Sequence, residues 1–237
     1  MEEILTSNNL LFGLAIYIAN IIQGITGFAG SLLAMPPSIH LQGLATSKVA
    51  VNTYGLISSA IIFSKTYKNM DWKEAKRIVV IMGAGLLGGI LISKFSSPTI
   101  LLKVYALFVI AVALKEMFYK GELDFSDQAL IIVLIVAGLF QGMFVSGGPF
   151  LIIYAAKKFK DKDQIRGSLC FVWLFMNGSL MLSQILGGEF NSHSLLVTLI
   201  GLPGVFLGVA TGGYLAKRLS REKFLKFVYV LGTSLLI

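Results

Sequence analysis

Apolar runs of roughly 15–22 residues recur along the chain between short polar loops, the length expected of helices crossing a ~30 Å hydrocarbon core. In the first half they cover 9–37, 46–63, 78–95 and 99–119, and in the second half 128–156, 167–186, 195–216 and 223–237. The first run of each half is interrupted at its centre. One reads Gln23, Gly24, Ile25, Thr26, Gly27, Phe28, Ala29, Gly30, Ser31, and the other Gln141, Gly142, Met143, Phe144, Val145, Ser146, Gly147, Gly148, Pro149. Glycines and small hydroxyls at that depth break a helix and free backbone groups that lipid cannot satisfy, so such a break is expected to line a cavity.

The two interruptions belong to a duplicated unit. A shift of 118 aligns Gln23-Gly24 with Gln141-Gly142, Gly30 with Gly148, Leu33 with Leu151, Gly83 with Gly201 and Lys48 with Arg166. Further on, a shift of 124 aligns Ser96 with Ser220, Leu101 with Leu225 and Val104-Tyr105 with Val228-Tyr229. The repeats span about 8–119 and 126–237 and form one transporter domain over 1–237. Paired interruptions at matching positions of two halves point to a carrier's substrate site.

Charge decides the topology. If all eight runs cross, Lys65, Lys68, Lys73, Lys76, Arg77, Lys115 and Lys120 lie outside. If each interrupted run is a re-entrant hairpin, those residues join the basic clusters at 157–166 and 217–226 inside, leaving only Lys48, Lys94 and Lys103 outside. The hairpin arrangement obeys the positive-inside rule better. A hairpin plus three crossings is an odd unit, so the second repeat is inverted relative to the first. The expected fold is therefore an all-α integral membrane protein of two inverted repeats, each a glycine-broken hairpin plus three transmembrane helices. Hairpin arms at 10–23 and 29–39 are each read as half a bilayer deep. The expected location is the cell (inner) membrane, multi-pass, with both termini extracytoplasmic.

A half-helix beginning just after Gly27 or Gly147 presents unpaired N–H groups and a partial positive charge, which suits an anion. Thr26, Ser31 and Ser146 add hydroxyl donors, and Gln23 and Gln141 add amide donors. Gly24, Ala29 and Gly30, with Gly142 and Gly148, let a ligand approach the backbone closely. Lys48 and Arg166 begin the next helix of each half, at the hairpin mouths. As a pair of cations they would fit a doubly charged or delocalised oxyanion, though both also read as snorkelling residues at helix ends. Asn52, Asn177 and Gln184 within apolar runs are site residues or interhelical hydrogen bonds, and Gly85-Gly88-Gly89 and Gly208-Gly212-Gly213 are expected to serve close helix packing.

Composition excludes other chemistries. The chain is 56% hydrophobic and 14% charged, with mean hydropathy +0.81. Its net charge of +8 sits in loops, where topology explains it, so nucleic acid is not an expected partner. Cys170 is alone and His40 and His193 are the only histidines, too few ligands for a transition-metal site. No cofactor is expected. Met1-Glu2-Glu3 is acidic and lacks the basic start expected of a cleavable signal peptide. All twelve acidic residues fall in loops or at run ends, which disfavours a cationic substrate. With no intramembrane acid, histidine cluster or Ser–His pair, an enzyme is not expected either.

The glycine clusters, Pro36 after the first of them, and the duplicated four-run pattern resemble the TauE/SafE family of membrane permeases, also described as sulfite exporters. Gly24, Gly27, Gly30 and Pro36 match in the first half and Gly142, Gly147 and Gly148 in the second. There Tyr154-Ala155 stand opposite Pro36-Pro37, and Pro149 comes early. The resemblance implies a secondary transporter exporting small sulfur-containing anions such as sulfite or organosulfonates, with its site at the two glycine clusters. The cation pair is inferred from the repeat alone. Competing readings are a passive anion channel and, further off, a membrane scaffold or assembly protein. A proton or sodium coupling ion and a homodimer stay open beside the anionic substrate and the lipid bilayer.

Overall fold

A computed structural model describes residues 7–118, 125–159 and 162–218. All regular structure among them is helical: α1 (Ser7–Thr26), α2 (Gly30–Gln42), α3 (Leu44–Thr66), α4 (Trp72–Phe95), α5 (Pro98–Phe118), α6 (Asp127–Phe144), α7 (Gly148–Lys158), α8 (Lys162–Leu186) and α9 (Ser192–Arg218), with a 3-10 turn at Tyr67–Asn69. The run expected at 223–237 lies outside the described residues. Asn8–Thr26, Trp72–Phe95, Asp127–Phe144, Asp163–Leu186 and Ser192–Arg218 are each long and apolar enough to cross a membrane. The protein is an all-α membrane protein.

Helices extend past the apolar runs where polar caps hold their ends. Asp71 accepts the Glu74 N–H at the start of α4 (3.0 Å), and Ser126 accepts the Ala129 N–H at the start of α6 (3.2 Å). Each side chain satisfies a donor that a helix start leaves open.

Both glycine breaks fold the chain back on itself. At the base of the first hairpin, Gln42 donates to Asn9 (3.1 Å), so the end of α2 returns to the start of α1. At the base of the second, Lys158 pairs with Asp127 (2.8 Å), closing α7 on α6. Asn9 and Asp127 are equivalent under the 118-residue shift. The arms are unequal, which corrects the expectation of two half-depth arms. α1 has 20 residues and reaches about 30 Å at ~1.5 Å per residue. α2 has only 13 and α7 only 11. Each long arm is driven by a continuous apolar surface, whereas each short arm starts only where the break lets helical geometry resume.

Contacts between helices give their directions. Arg166 and Cys170 at the start of α8 touch Gly24 and Gly27 at the end of α1. Gly167 lies against Thr66, at the end of α3, and the Asp71 N–H donates to Ser168 (3.0 Å), bringing the start of α4 to the same level. Lys48 near the start of α3 meets Ser93 near the end of α4 (2.6 Å). Hence α1 and α3 run one way, while α4 and α8 run the other.

Glycines set the closest helix pairs. Along α9, Gly204, Gly208 and Gly212 face Tyr17, Asn20 and Ile21 of α1 in ascending order, and along α4 Gly85 and Gly89 face Ile135 and Leu139 of α6. Both pairs are therefore parallel, and α6 opposes α1. Each hairpin's long arm packs on the fourth helix of the other repeat, so the two halves interlock. Gly24 and Gly142 belong to these seams. A Cβ on Gly24 would lie 2.9 Å from Gly212 Cα.

Candidate functional site

The first break is built by local hydrogen bonds. Gly27 has φ +85°, a conformation that glycine adopts without a Cβ penalty. Thr26 accepts the Phe28 N–H (3.3 Å) and the Ala29 N–H (3.2 Å). Gln23 reaches across the turn, accepting the Gly30 N–H (2.8 Å) and donating to the Gly27 carbonyl (3.3 Å). A Cβ on Gly30 would lie 2.6 Å from Gln23 Cβ, so glycine is required for the short arm to lie this close. The first free turn of α2 thus starts at Gly30, three residues later than the break at Gly27. Ser31 and Leu32 N–H, the next two donors, have no hydrogen-bond acceptor among the described residues.

The second break repeats the device with changes. Val145 holds the left-handed position (φ +56°) equivalent to Gly27, an unusual conformation for a β-branched residue. Gln141 accepts the Gly147 N–H (3.1 Å) and donates to Asn177 Oδ1 (2.8 Å). Ser146 donates to the Phe144 carbonyl (3.0 Å) and meets the Tyr105 hydroxyl at 3.5 Å. Pro149 occupies the position of Ser31 and supplies no N–H at all. The two short arms meet at their N-termini, where a Cβ on Gly148 would lie 3.1 Å from the Phe28 carbonyl oxygen.

A cavity of about 20 Å³ opens at the α2 N-terminus, lined among others by Asn20, Gln23, Phe28, Ser31, Trp173 and Asn177. That is room for about one water. Ala34 and Val51 add apolar lining, and no charged side chain lines it. What it offers a ligand is a helix N-terminus, neutral amides and hydroxyls, and the three aromatic rings of Phe28, Tyr54 and Trp173.

Comparison with known proteins decides the lineage. The sequence profile described as Sulfite exporter TauE/SafE matches residues 12–237, nearly the whole chain. The chain belongs to the TauE/SafE family. No curated protein and no solved structure matches it. As a TauE/SafE member it is a multi-pass membrane transporter of the sulfite exporter class.

Within this TauE/SafE chain the expected site residues other than Asn52, Lys48 and Arg166 divide into three groups. Gln23, Thr26, Gly27, Ala29, Gly30 and Ser31 come together at the first hairpin tip, and Asn177 joins them from α8. Gln141, Ser146, Gly147 and Gly148 form the second tip, with Gln141 reaching the first group through Asn177. Gly24 and Gly142 lie in the helix seams. The glutamines differ from expectation in their bonding: each accepts an N–H of its own break, from Gly30 for Gln23 and from Gly147 for Gln141. Asn52 is wholly buried and donates to the Asn177 carbonyl (3.1 Å) and to Gln184 (3.0 Å), tying α3 to α8.

Lys48 and Arg166 are not brought together. Arg166 donates to the Gly24 carbonyl (2.8 Å), at the tip of the first hairpin. Lys48 is at that hairpin's base, roughly 27 Å along α3 from the Thr66–Gly167 contact at ~1.5 Å per residue. The antiparallel packing of α3 on α8 separates residues that the repeat makes equivalent.

Several lining residues escaped the sequence reading, among them Asn20, Tyr54, Ser58 and Trp173. The legible signal was on α8, where Arg166, Cys170, Trp173 and Asn177 fall at positions i, i+4, i+7 and i+11 and share a face. Tyr54 gave no such signal, since its hydroxyl donates to the Val197 and Thr198 carbonyls (both 2.9 Å) on a helix far along the chain.

Proposed function

We propose that this chain is a secondary carrier that exports small sulfur oxyanions, sulfite or short organosulfonates, across the cell membrane by alternating access. The anion binds at the N-terminus of α2. The observation that carries the reading is the pair of free N–H groups on Ser31 and Leu32, beside a cavity with no acidic lining. A helix N-terminus attracts negative charge through its aligned dipoles and open donors. Gln23, Thr26, Gly27, Ala29 and Gly30 hold those donors in place, and Asn177 adds an amide. The α7 end is the weaker anion site because Pro149 lacks a donor, so the repeat-related positions have unequal roles. Lys48 and Arg166 flank the path from opposite ends. Since the cavity of about 20 Å³ takes one water, sulfite enters only when the walls move, as an alternating-access cycle requires.

The test replaces one donor. Proline is tolerated in the first helical turn, so Ser31→Pro removes the N–H while keeping the helix, copying the second repeat. Sulfite flux into proteoliposomes is expected to be saturable in wild type. Its KM is expected to rise about 10-fold in Ser31→Pro, the cost of one hydrogen bond to a charged group, and to move less in Ser31→Ala. Equal KM in all three would remove the α2 terminus from the site, and non-saturating flux would make the protein a channel.

A further inference from the structure

We propose that Trp173 is a ligand of the transported anion, donating its indole N–H to one oxygen while Ser31 and Leu32 N–H hold the others. The inference rests on the carrier reading above and extends it to a residue that neither the glycine motifs nor the repeat identifies. Trp173 is 3% exposed, lines the cavity at the α2 terminus, and its Nε1 has no hydrogen-bond acceptor among the described residues. A buried tryptophan N–H ordinarily finds one.

The position of the ring follows from α8. Arg166 and Cys170 on the same face reach the Gly24 and Gly27 carbonyls of the first hairpin tip. One turn beyond Trp173, Asn177 lines the cavity. Trp173 lies between these contacts on a face already committed to the tip. An indole N–H only donates, as do the two free backbone N–H groups, and deprotonated sulfite or sulfonate oxygens only accept. The ring, with Phe28, also gives the cavity apolar lining, which keeps water from the donors and strengthens each bond. Because sulfite outsizes the cavity, its entry displaces a wall, and Trp173 registers that displacement.

The chain contains two tryptophans, Trp72 and Trp173, which makes the assay direct. Trp72 is 48% exposed and meets Phe171 edge-on, with ring centroids 5.3 Å apart, and it does not line the cavity. In purified Trp72→Phe protein, sulfite titration is expected to shift the remaining Trp173 emission saturably, with a midpoint matching the transport KM. Trp173→Phe keeps a ring and loses the donor. It is expected to raise the sulfite KM about 10-fold while the maximal rate stays within about two-fold. Wild-type flux with silent Trp173 emission and an unchanged KM in Trp173→Phe overturns the ligand and leaves the carrier standing. If Trp173→Phe does not fold, the emission titration of Trp72→Phe decides alone. Absence of saturable flux and of any emission change in wild type and Trp72→Phe removes the carrier reading, and this ligand with it.

Discussion

Gln23 and Gln141 each brace a helix break from one turn upstream, and their loads differ. Gln23 serves only its own loop, through the Gly30 N–H and the Gly27 carbonyl. Gln141 serves the Gly147 N–H and also binds Asn177 across to α8. Leaving a buried donor unpaired costs about 1–3 kcal/mol. Gln23→Leu and Gln141→Leu are both expected to lower the melting temperature in detergent, with the larger drop for Gln141→Leu. Equal or absent drops would show that the breaks hold without their glutamines. The glutamines were visible as repeated letters, but their bonding depends on a turn geometry that spacing alone does not specify.

At the scale of elements, glycine governs how closely helices approach. On α9, a Cβ at Gly212 would press on the Ile21 carbonyl of α1, whereas a Cβ at Gly213 meets nothing within 4 Å. Glycine to alanine inside a helix gains up to about 1 kcal/mol from propensity when there is space. Gly213→Ala is therefore expected to keep or raise thermal stability, and Gly212→Ala to lower it through separation of α1 from α9. A similar response from both would place the seam elsewhere. Of the Gly208-Gly212-Gly213 cluster expected to serve packing, Gly208 and Gly212 do so and Gly213 does not, because the rotation of α9 turns only the first two toward α1. Gly24 and Gly142 show the converse. Their place in a repeated motif suggested a site, and the interlock of the two repeats uses them as packing surface.

For the whole molecule, the hairpins determine which loops share a face. The Asp71–Ser168 bond brings the α3–α4 connection to the start of α8, and the Lys48–Ser93 bond sets the α4–α5 connection at the other end. In the membrane, Asn69→Cys and Lys157→Cys are expected to react with an impermeant thiol reagent from one face, the cytoplasmic one by the charge distribution, and Ser97→Cys from the opposite face. The native Cys170 is buried and gives little background. Labelling of Asn69→Cys and Lys157→Cys from different faces would exclude hairpins in both halves, because eight full crossings put those loops on opposite sides.

Hydropathy and the glycine interruptions determined an all-α membrane protein with broken helices, and duplication and the distribution of basic residues set the expectation of two repeats, because burial in lipid imposes length, backbone satisfaction and charge asymmetry on any chain. The family resemblance rested on those glycine clusters and holds over residues 12–237. The tertiary structure alone decided the rest. It separated Lys48 from Arg166 by running α3 against α8, made the arms of each hairpin unequal, and brought Trp173 and Asn177 to the tip of a hairpin more than a hundred residues away in sequence. Periodicity records which face of a helix is buried, but not which helix will cover it. That choice comes from the packing of the two halves against each other.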